Sequence, residues 1–148
     1  MEIPEDSVRI DYADGYYIGQ VGPDGTTEHG KGIFVWNSGE MYAGDFVDGM
    51  RTGKGRLVWA DGSVYEGDFL NNMRSGKGIM EWASGGRYEG DFLDNSRSGK
   101  GRMTWTSGDY YEGDFIDGKM EGKGTLYAAD GSVRYSGQWI QDCPVNNS

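Results

Sequence analysis

The stretch Tyr65-Glu66-Gly67-Asp68-Phe69, followed by Gly76-Lys77-Gly78, decides the fold of this chain. Tyr65, Gly67 and Phe69 alternate with acidic residues, which is the period-2 pattern of a β-strand. Between the two segments lies Asn71-Asn72, and asparagine tolerates the positive φ that a two-residue hairpin turn requires. The stretch therefore predicts a β-hairpin that carries its aromatic side chains on one face and its charged side chains on the other.

This stretch recurs along the chain at a spacing of 23 residues. The tyrosines that open the copies are Tyr42, Tyr65, Tyr88 and Tyr111, and the tryptophans near their ends are Trp36, Trp59, Trp82 and Trp105. An earlier copy starts at Tyr17, and a half-copy starts at Tyr135. An isolated hairpin is only marginally stable in water, so the copies are expected to stack side by side. The sequence thus predicts an all-β fold: an elongated, twisted, single-layer antiparallel ribbon of stacked β-hairpins.

The strand register inside each hairpin has two solutions. A two-residue turn places Phe69 opposite Arg74 and Tyr65 opposite Gly78, and it pairs Glu89 with Lys100 in a later copy. A register two residues longer pairs Asp68 with Lys77 instead. In both, glycines provide a bare backbone beneath neighbouring rings, with Gly67 and Gly78 expected under Tyr65 and Trp82.

Composition excludes several classes of function. The chain has 148 residues and a net charge of −10, which argues against nucleic-acid binding because phosphates require a basic surface. A single cysteine, Cys143, and a single histidine, His29, give no disulfide framework, no Cys/His zinc site and no partnered catalytic base. We therefore expect no catalytic residues, no metal and no cofactor. Apolar runs such as Leu57-Val58-Trp59-Ala60 are far too short to span a membrane, and we expect a cytoplasmic location.

The Tyr-Glu-Gly-Asp-Phe openings, the Gly-Lys-Gly centres and the tryptophans followed three residues later by glycine resemble the MORN (membrane occupation and recognition nexus) repeat family. The resemblance extends from Tyr12 to Trp139. It implies an acidic N-terminal segment with a partial repeat at 1–16, an array of five full copies and a half-copy at 17–139, and a polar tail at 140–148. It also implies a repeat protein without catalytic activity that binds helical or extended segments of cytoskeletal or signalling partners. The chain can be a complete protein or a part of a longer one.

The first functional hypothesis is a protein-interaction scaffold. A single-layer sheet cannot cover both of its faces, and an exposed apolar face on a soluble protein usually indicates a partner. Aromatic residues and methionine are enriched at such interfaces. The candidate anchors are Phe34, Trp36, Trp59, Met80, Trp82, Met103, Trp105 and Leu126. The competing interpretation is that these side chains form the core of the ribbon. Open end strands also allow an edge-to-edge homodimer.

The alternative hypothesis is a peripheral module that binds anionic phospholipid. Basic residues recur close to the expected turns: Arg51, Arg74, Arg97 and Lys119. Each could contribute about 1 kcal/mol of attraction to an anionic leaflet. However, residues 1–41 hold eight acidic and two basic residues, and the field of an acidic protein opposes such binding. The scaffold is therefore the preferred hypothesis, with association to cytoskeleton or membrane left open.

Overall fold

The computed structural model describes residues 3–145, which form thirteen β-strands and no helix. These residues fall into two compact units, Met1–Arg74 and Ser75–Ser148. Residues 1–2 of the predicted acidic segment and residues 146–148 of the predicted polar tail lie outside the described part. Within that part, no helix has the length and apolar character needed to cross a bilayer.

The first unit is an antiparallel sheet in which each strand pairs with the next along the chain. Its strands are β1 (Val8–Tyr12), β2 (Gly15–Val21), β3 (Glu28–Trp36), β4 (Met41–Val47), β5 (Met50–Val58) and β6 (Val64–Leu70). Strand β1 belongs to the predicted acidic segment 1–16. His29 lies in β3, where its Nδ1 accepts a hydrogen bond from the Asp48 backbone N–H at 3.3 Å.

The second unit is built in the same way. Its strands are β8 (Arg87–Leu93), β9 (Ser96–Thr104), β10 (Tyr110–Ile116), β11 (Lys119–Tyr127), β12 (Val133–Ile140) and β13 (Cys143–Pro144), and β7 (Met73–Glu81) crosses the boundary at its second residue. Consecutive strands from β7 to β13 pair antiparallel. The prediction of an all-β, antiparallel array of hairpins is confirmed.

The turns have the predicted positions and conformation. Asp48-Gly49, Asn71-Asn72, Asp94-Asn95 and Asp117-Gly118 all have positive φ at both residues. This is the type I′ geometry, whose twist matches that of the flanking strands. The fifth such pair, Gln141-Asp142, precedes β13. The two turn residues therefore fix the register of the strand ends, as in the pairing of Val47 with Met50.

A β-bulge in the repeat hairpins explains why both predicted registers are present. In β4 and β5, Phe46 faces Arg51 beside the turn, which is the shorter register, whereas Gly44 faces Gly55 farther out, which is the longer one. The same shift separates Gly90 from Phe92 and Gly113 from Phe115. The two extra residues lie on the strand that carries the Gly-Lys-Gly motif, where Thr52, Gly53 and Lys54 all lie opposite the single residue Asp45. One consequence is that the predicted pairing of Glu89 with Lys100 is wrong, because Glu89 faces Arg102.

The aspartates opposite the bulges connect neighbouring hairpins. Asp45 accepts a hydrogen bond from the Lys54 backbone N–H of its own hairpin at 2.9 Å. It also forms an ion pair with the Lys31 side chain of the preceding strand. Asp114 does the same with the Lys123 backbone and the Lys100 ammonium. The hydrogen bond from Lys100 lowers the pKa of the Asp114 carboxyl against a smaller opposing effect of burial. The Gly-Lys-Gly motif therefore serves as the docking point of this aspartate.

Tyrosine and phenylalanine form the core on the face opposite the lysines. Each motif tyrosine from Tyr17 to Tyr111 is completely buried, and the motif phenylalanines are at most 4% exposed. The Tyr42 ring contacts Phe46 of its own hairpin and Phe69 of the next, edge to face, with both centroid distances 5.1 Å. The Tyr42 hydroxyl donates to the carbonyl of Asp45, the residue opposite the bulge, at 2.8 Å. A buried hydroxyl requires a hydrogen-bond partner, and this carbonyl provides it.

Candidate functional site

Each motif tryptophan begins the turn that joins one hairpin to the next. The Trp59 N–H donates to Ser63 O at 2.9 Å, and the Gly62 N–H donates to Trp59 O at 3.0 Å. Gly62 has a φ of 95°, which an L side chain adopts only with strain. This geometry explains the glycine three residues after each tryptophan. The turn holds the indole at the edge of the aromatic core, where all four motif tryptophans are half-buried.

An arginine of the next hairpin covers three of these indoles. The guanidinium carbons of Arg51, Arg74 and Arg97 lie 5.5, 5.3 and 5.4 Å from the ring centroids of Trp36, Trp59 and Trp82, within the range of cation–π attraction. Arg51 Nη2 donates to Asn72 O at 3.0 Å, and Arg97 Nη2 donates to Gly118 O at 2.5 Å. Burial lowers the pKa of Arg51 and of Arg97, yet both remain cations at neutral pH.

The structure separates the eight predicted anchors into two groups. Met80 and Met103 are 4% and 9% exposed and belong to the core, where Met103 pairs with Tyr88 across β8 and β9. The six others are half-buried: Phe34, Trp36, Trp59, Trp82, Trp105 and Leu126. In the first unit the Phe34 and Trp36 rings lie 4.6 Å apart and continue the accessible band of tryptophans.

The four basic residues of the lipid hypothesis lie next to turns, but the arginines do not project from them. Arg51, Arg74 and Arg97 turn back onto the aromatic face and stack on rings of the core, including Tyr42 below Arg51. Lys119 is exposed and donates to Gln141 Oε1 at 3.0 Å. These contacts show that the recurrent arginines stabilise the aromatic face.

Sequence reasoning missed a row of exposed aliphatic residues on the opposite face. They directly precede the turns, at a 23-residue step from Val47 to Ile116 and one residue later for Ile140, and their exposures are 40% for Val47, 52% for Leu70, 57% for Leu93, 50% for Ile116 and 57% for Ile140. The signal was present in the sequence, because an aliphatic residue follows each motif aromatic, as Leu93 follows Phe92. Since adjacent strand residues point to opposite faces, this row provides controls for the aromatic face.

A groove near the C-terminal end of the second unit was also missed. Its volume is about 500 Å³, and its lining includes Trp105, Met120, Leu126, Trp139, Asp109 and Asp142. The signal is a break in the repeat: Met120 stands one step after Arg97, and Ala128 stands one step after Trp105. Among the described residues, no group of three or more His, Cys, Asp or Glu side chains could hold a metal ion.

Comparison with known proteins gives a family match and distant structural likenesses. The chain is similar to the TCP domain of SAS-4 (dCPAP) from Drosophila melanogaster in complex with a proline-rich motif of Ana2 (dSTIL), with 14% identity, 86% of this chain and 78% of that chain covered, and a TM-score of 0.49. It is also similar to the TCP10 domain of Danio rerio CPAP in complex with a STIL peptide, with 15% identity, coverages of 91% and 70%, and a TM-score of 0.32. No curated protein matches. The model of the MORN repeat matches residues 28–41, 42–64, 65–87, 88–110 and 111–133.

Proposed function

Because the chain belongs to the MORN repeat family, we propose that it is a non-enzymatic adaptor that binds a segment of another protein on the aromatic face of its repeats. One observation carries the proposal: the four motif tryptophans, Trp36, Trp59, Trp82 and Trp105, are half-buried, whereas the tyrosines and phenylalanines beside them are buried. The core is therefore built without these four tryptophans, and each unit retains accessible indole surface that packing does not require.

The accessible tryptophans have the properties of binding hot spots. Tryptophan, tyrosine and arginine dominate the energetics of protein interfaces, and the two aromatic residues bury a large area with few rotatable bonds. In the first unit Arg51 and Arg74 hold the Trp36 and Trp59 rings against the sheet. A partner therefore meets indoles whose conformational entropy is already restricted, which lowers the cost of association.

The regular spacing favours a linear partner. Within each unit, two motif indoles follow each other by one repeat, Trp36 and Trp59 in the first and Trp82 and Trp105 in the second, and an extended or helical segment presents side chains at regular intervals to such a pair. A cytoplasmic, cytoskeleton-associated setting suits this adaptor. The lipid-binding alternative and the edge-to-edge homodimer stay predictions, and no specific contact favours either.

The proposal is tested by comparing the two faces. Partners recovered by affinity purification are identified by mass spectrometry, purified, and titrated against the wild-type protein, Trp59→Ala, Trp82→Ala and the matched control Leu93→Ala. We expect each tryptophan variant to weaken binding at least tenfold, because truncation of a hot spot costs about 2 kcal/mol or more. Leu93→Ala should bind normally, since Leu93 lies on the opposite face.

Circular dichroism verifies that every variant is folded. If a partner still binds both tryptophan variants but no longer binds Leu93→Ala, the binding surface is the face opposite the aromatic one, and the proposal is refuted. Flotation with vesicles of anionic phospholipid at low salt examines the alternative function, and co-flotation of the wild-type protein would favour it.

A further inference from the structure

The three covered tryptophans define a recurrent arginine slot. Its floor is the indole, and its end is a backbone carbonyl of the turn in the next hairpin, as seen for Arg51 with Trp36 and the Asn72 carbonyl. Arg97 repeats the arrangement with Trp82 and the Gly118 carbonyl. The chain thus shows three times that a guanidinium is the group that fits over this tryptophan.

The last copy has the slot but not the arginine. Met120 faces Phe115 across β10 and β11, as Arg97 faces Phe92 across β8 and β9. A thioether side chain has no N–H to donate, so the guanidinium position over Trp105 and beside the Asp142 carbonyl is not filled from within this strand. The groove of about 500 Å³ lies at this position.

The walls of the groove suit a cation that carries an apolar stem. Trp105, Leu126 and the nearly buried Trp139 provide the apolar surface. Asp109 and Asp142 add two carboxylates, and Asp142 replaces the uncharged Asn72 and Gly118 of the earlier slots. Asp142 Oδ1 already accepts the Met120 N–H at 2.8 Å, and Asp109 Oδ2 lies 3.6 Å from Arg134 Nη2. The carboxylates are thereby held in place at the rim.

We propose that this groove receives an arginine side chain of the protein partner, which takes the position over Trp105 that Arg51, Arg74 and Arg97 take in the earlier copies. This inference rests on the proposed adaptor function and specifies the partner's chemistry as an arginine flanked by apolar residues. Arg97 lines the adjoining hollow together with Asp142 and is attracted to that carboxylate. The guanidinium of the partner is therefore expected to bind mainly through Trp105 and the turn carbonyl, with the carboxylates adding attraction.

The test uses short synthetic peptides, so no natural partner is required. Acetyl-Leu-Arg-Leu-amide is titrated into the isotope-labelled protein, and the indole N–H signals of the tryptophans are followed by NMR. The matched probe contains citrulline, which keeps the shape of arginine but has no charge. We expect the arginine peptide to shift the Trp105 signal, to leave the Trp36 signal in place, and to bind about fivefold or more tightly than the citrulline peptide.

A variant that fills the slot provides the second measurement. Met120→Arg restores the pattern of the earlier copies, and we expect it to weaken the arginine peptide about tenfold or more, whereas Met120→Leu should not. Equal affinity for the two peptides, equal shifts at Trp36 and Trp105, or unchanged binding by folded Met120→Arg would each overturn the inference. The adaptor function is judged separately, because Trp59→Ala and Trp82→Ala alter indoles that this groove does not include.

Discussion

Substitution of Gly55 by alanine tests the close contact on which the aromatic core depends. The Cβ of an alanine at this position would lie 2.5 Å from Cζ of Tyr42, whereas carbon atoms in favourable contact are separated by about 3.5–4.0 Å. The other neighbours of the ring, Phe46 and Phe69, are nearly buried and leave no room for it to move sideways. The tyrosine must therefore leave its position.

The size of the effect follows from what the ring loses. Removing a large buried aromatic side chain from a core costs about 3–5 kcal/mol, which includes the burial of its surface. Replacing glycine by alanine in an ordinary backbone conformation returns about 0.4–1 kcal/mol through the unfolded state. The free energy of unfolding should therefore fall by about 3 kcal/mol. With a slope of roughly 2 kcal/mol per molar urea, the unfolding midpoint should fall by about 1.5 M.

Two other glycines separate steric overlap from backbone strain. At Gly22 the nearest atom to an added Cβ is 3.8 Å away, so Gly22→Ala should leave the stability unchanged or raise it slightly. At Gly62 nothing lies within 4 Å, but φ is +95°, so Gly62→Ala should cost about 1 kcal/mol. Urea denaturation followed by tryptophan fluorescence measures all three. If Gly55→Ala costs no more than Gly62→Ala, the ring does not rest on the backbone of Gly55 as described.

Three further predictions concern the core, the charges and the titration of tyrosine. Phe69→Ala should lower the free energy of unfolding by about 3–5 kcal/mol, whereas Trp59→Ala should cost less than half as much, and equal costs would mean that the tryptophans belong to the core. Lys54→Met should cost less than about 1 kcal/mol, because Lys54 is 75% exposed, and a cost that does not decrease with salt would contradict a solvated ion pair. Burial raises the pKa of Tyr88 and Tyr111 from 10.0 to about 12. The contribution of these tyrosines to the free energy of unfolding should therefore be fully present below pH 10 and be lost as the pH rises towards 12. Tyrosinate absorbance should appear together with unfolding, and its appearance near pH 10 in the folded protein would refute the burial of these rings.

The sequence predicts the hairpins and their turns but not the bulges. Asp48-Gly49 and Asn71-Asn72 identify the turns, because few other residues adopt positive φ at two successive positions. The segment Gly76-Lys77-Gly78 looks like part of an uninterrupted strand, although the equivalent part of β5 places Thr52, Gly53 and Lys54 opposite the single residue Asp45. The bulge is stabilised by contacts between the two strands of the hairpin, such as the hydrogen bond from the Lys54 N–H to the Asp45 carboxylate. The local periodicity of the sequence does not reveal such contacts. The same limit led to the prediction of a tryptophan ring over the central glycines, where the structure places tyrosine.

The candidate site is predictable to the level of residue type and spacing. The 23-residue step identifies the tryptophans and the arginines, but the direction of an arginine beside a turn depends on the neighbouring strands. Arg97 lies opposite Phe92, so its guanidinium reaches the Trp82 ring, and this pairing follows from the register. Met103 has the spacing of a surface anchor, but it is buried beside Tyr88 because these two residues face each other.

The double contact of each tyrosine has a consequence for the evolution of the gene. Tyr42 meets Phe46 and Phe69 at the same distance and angle, and Tyr88 meets Phe92 and Phe115 likewise. A tandem duplication of one 23-residue block inserts a new ring between two old ones and recreates both kinds of neighbour. In the last full copy, the Tyr111 and Trp139 ring centroids lie 5.1 Å apart, so an indole takes the place of the phenylalanine that the earlier tyrosines contact in the next hairpin. Copy number can thus change by whole blocks while this terminal residue stays in place.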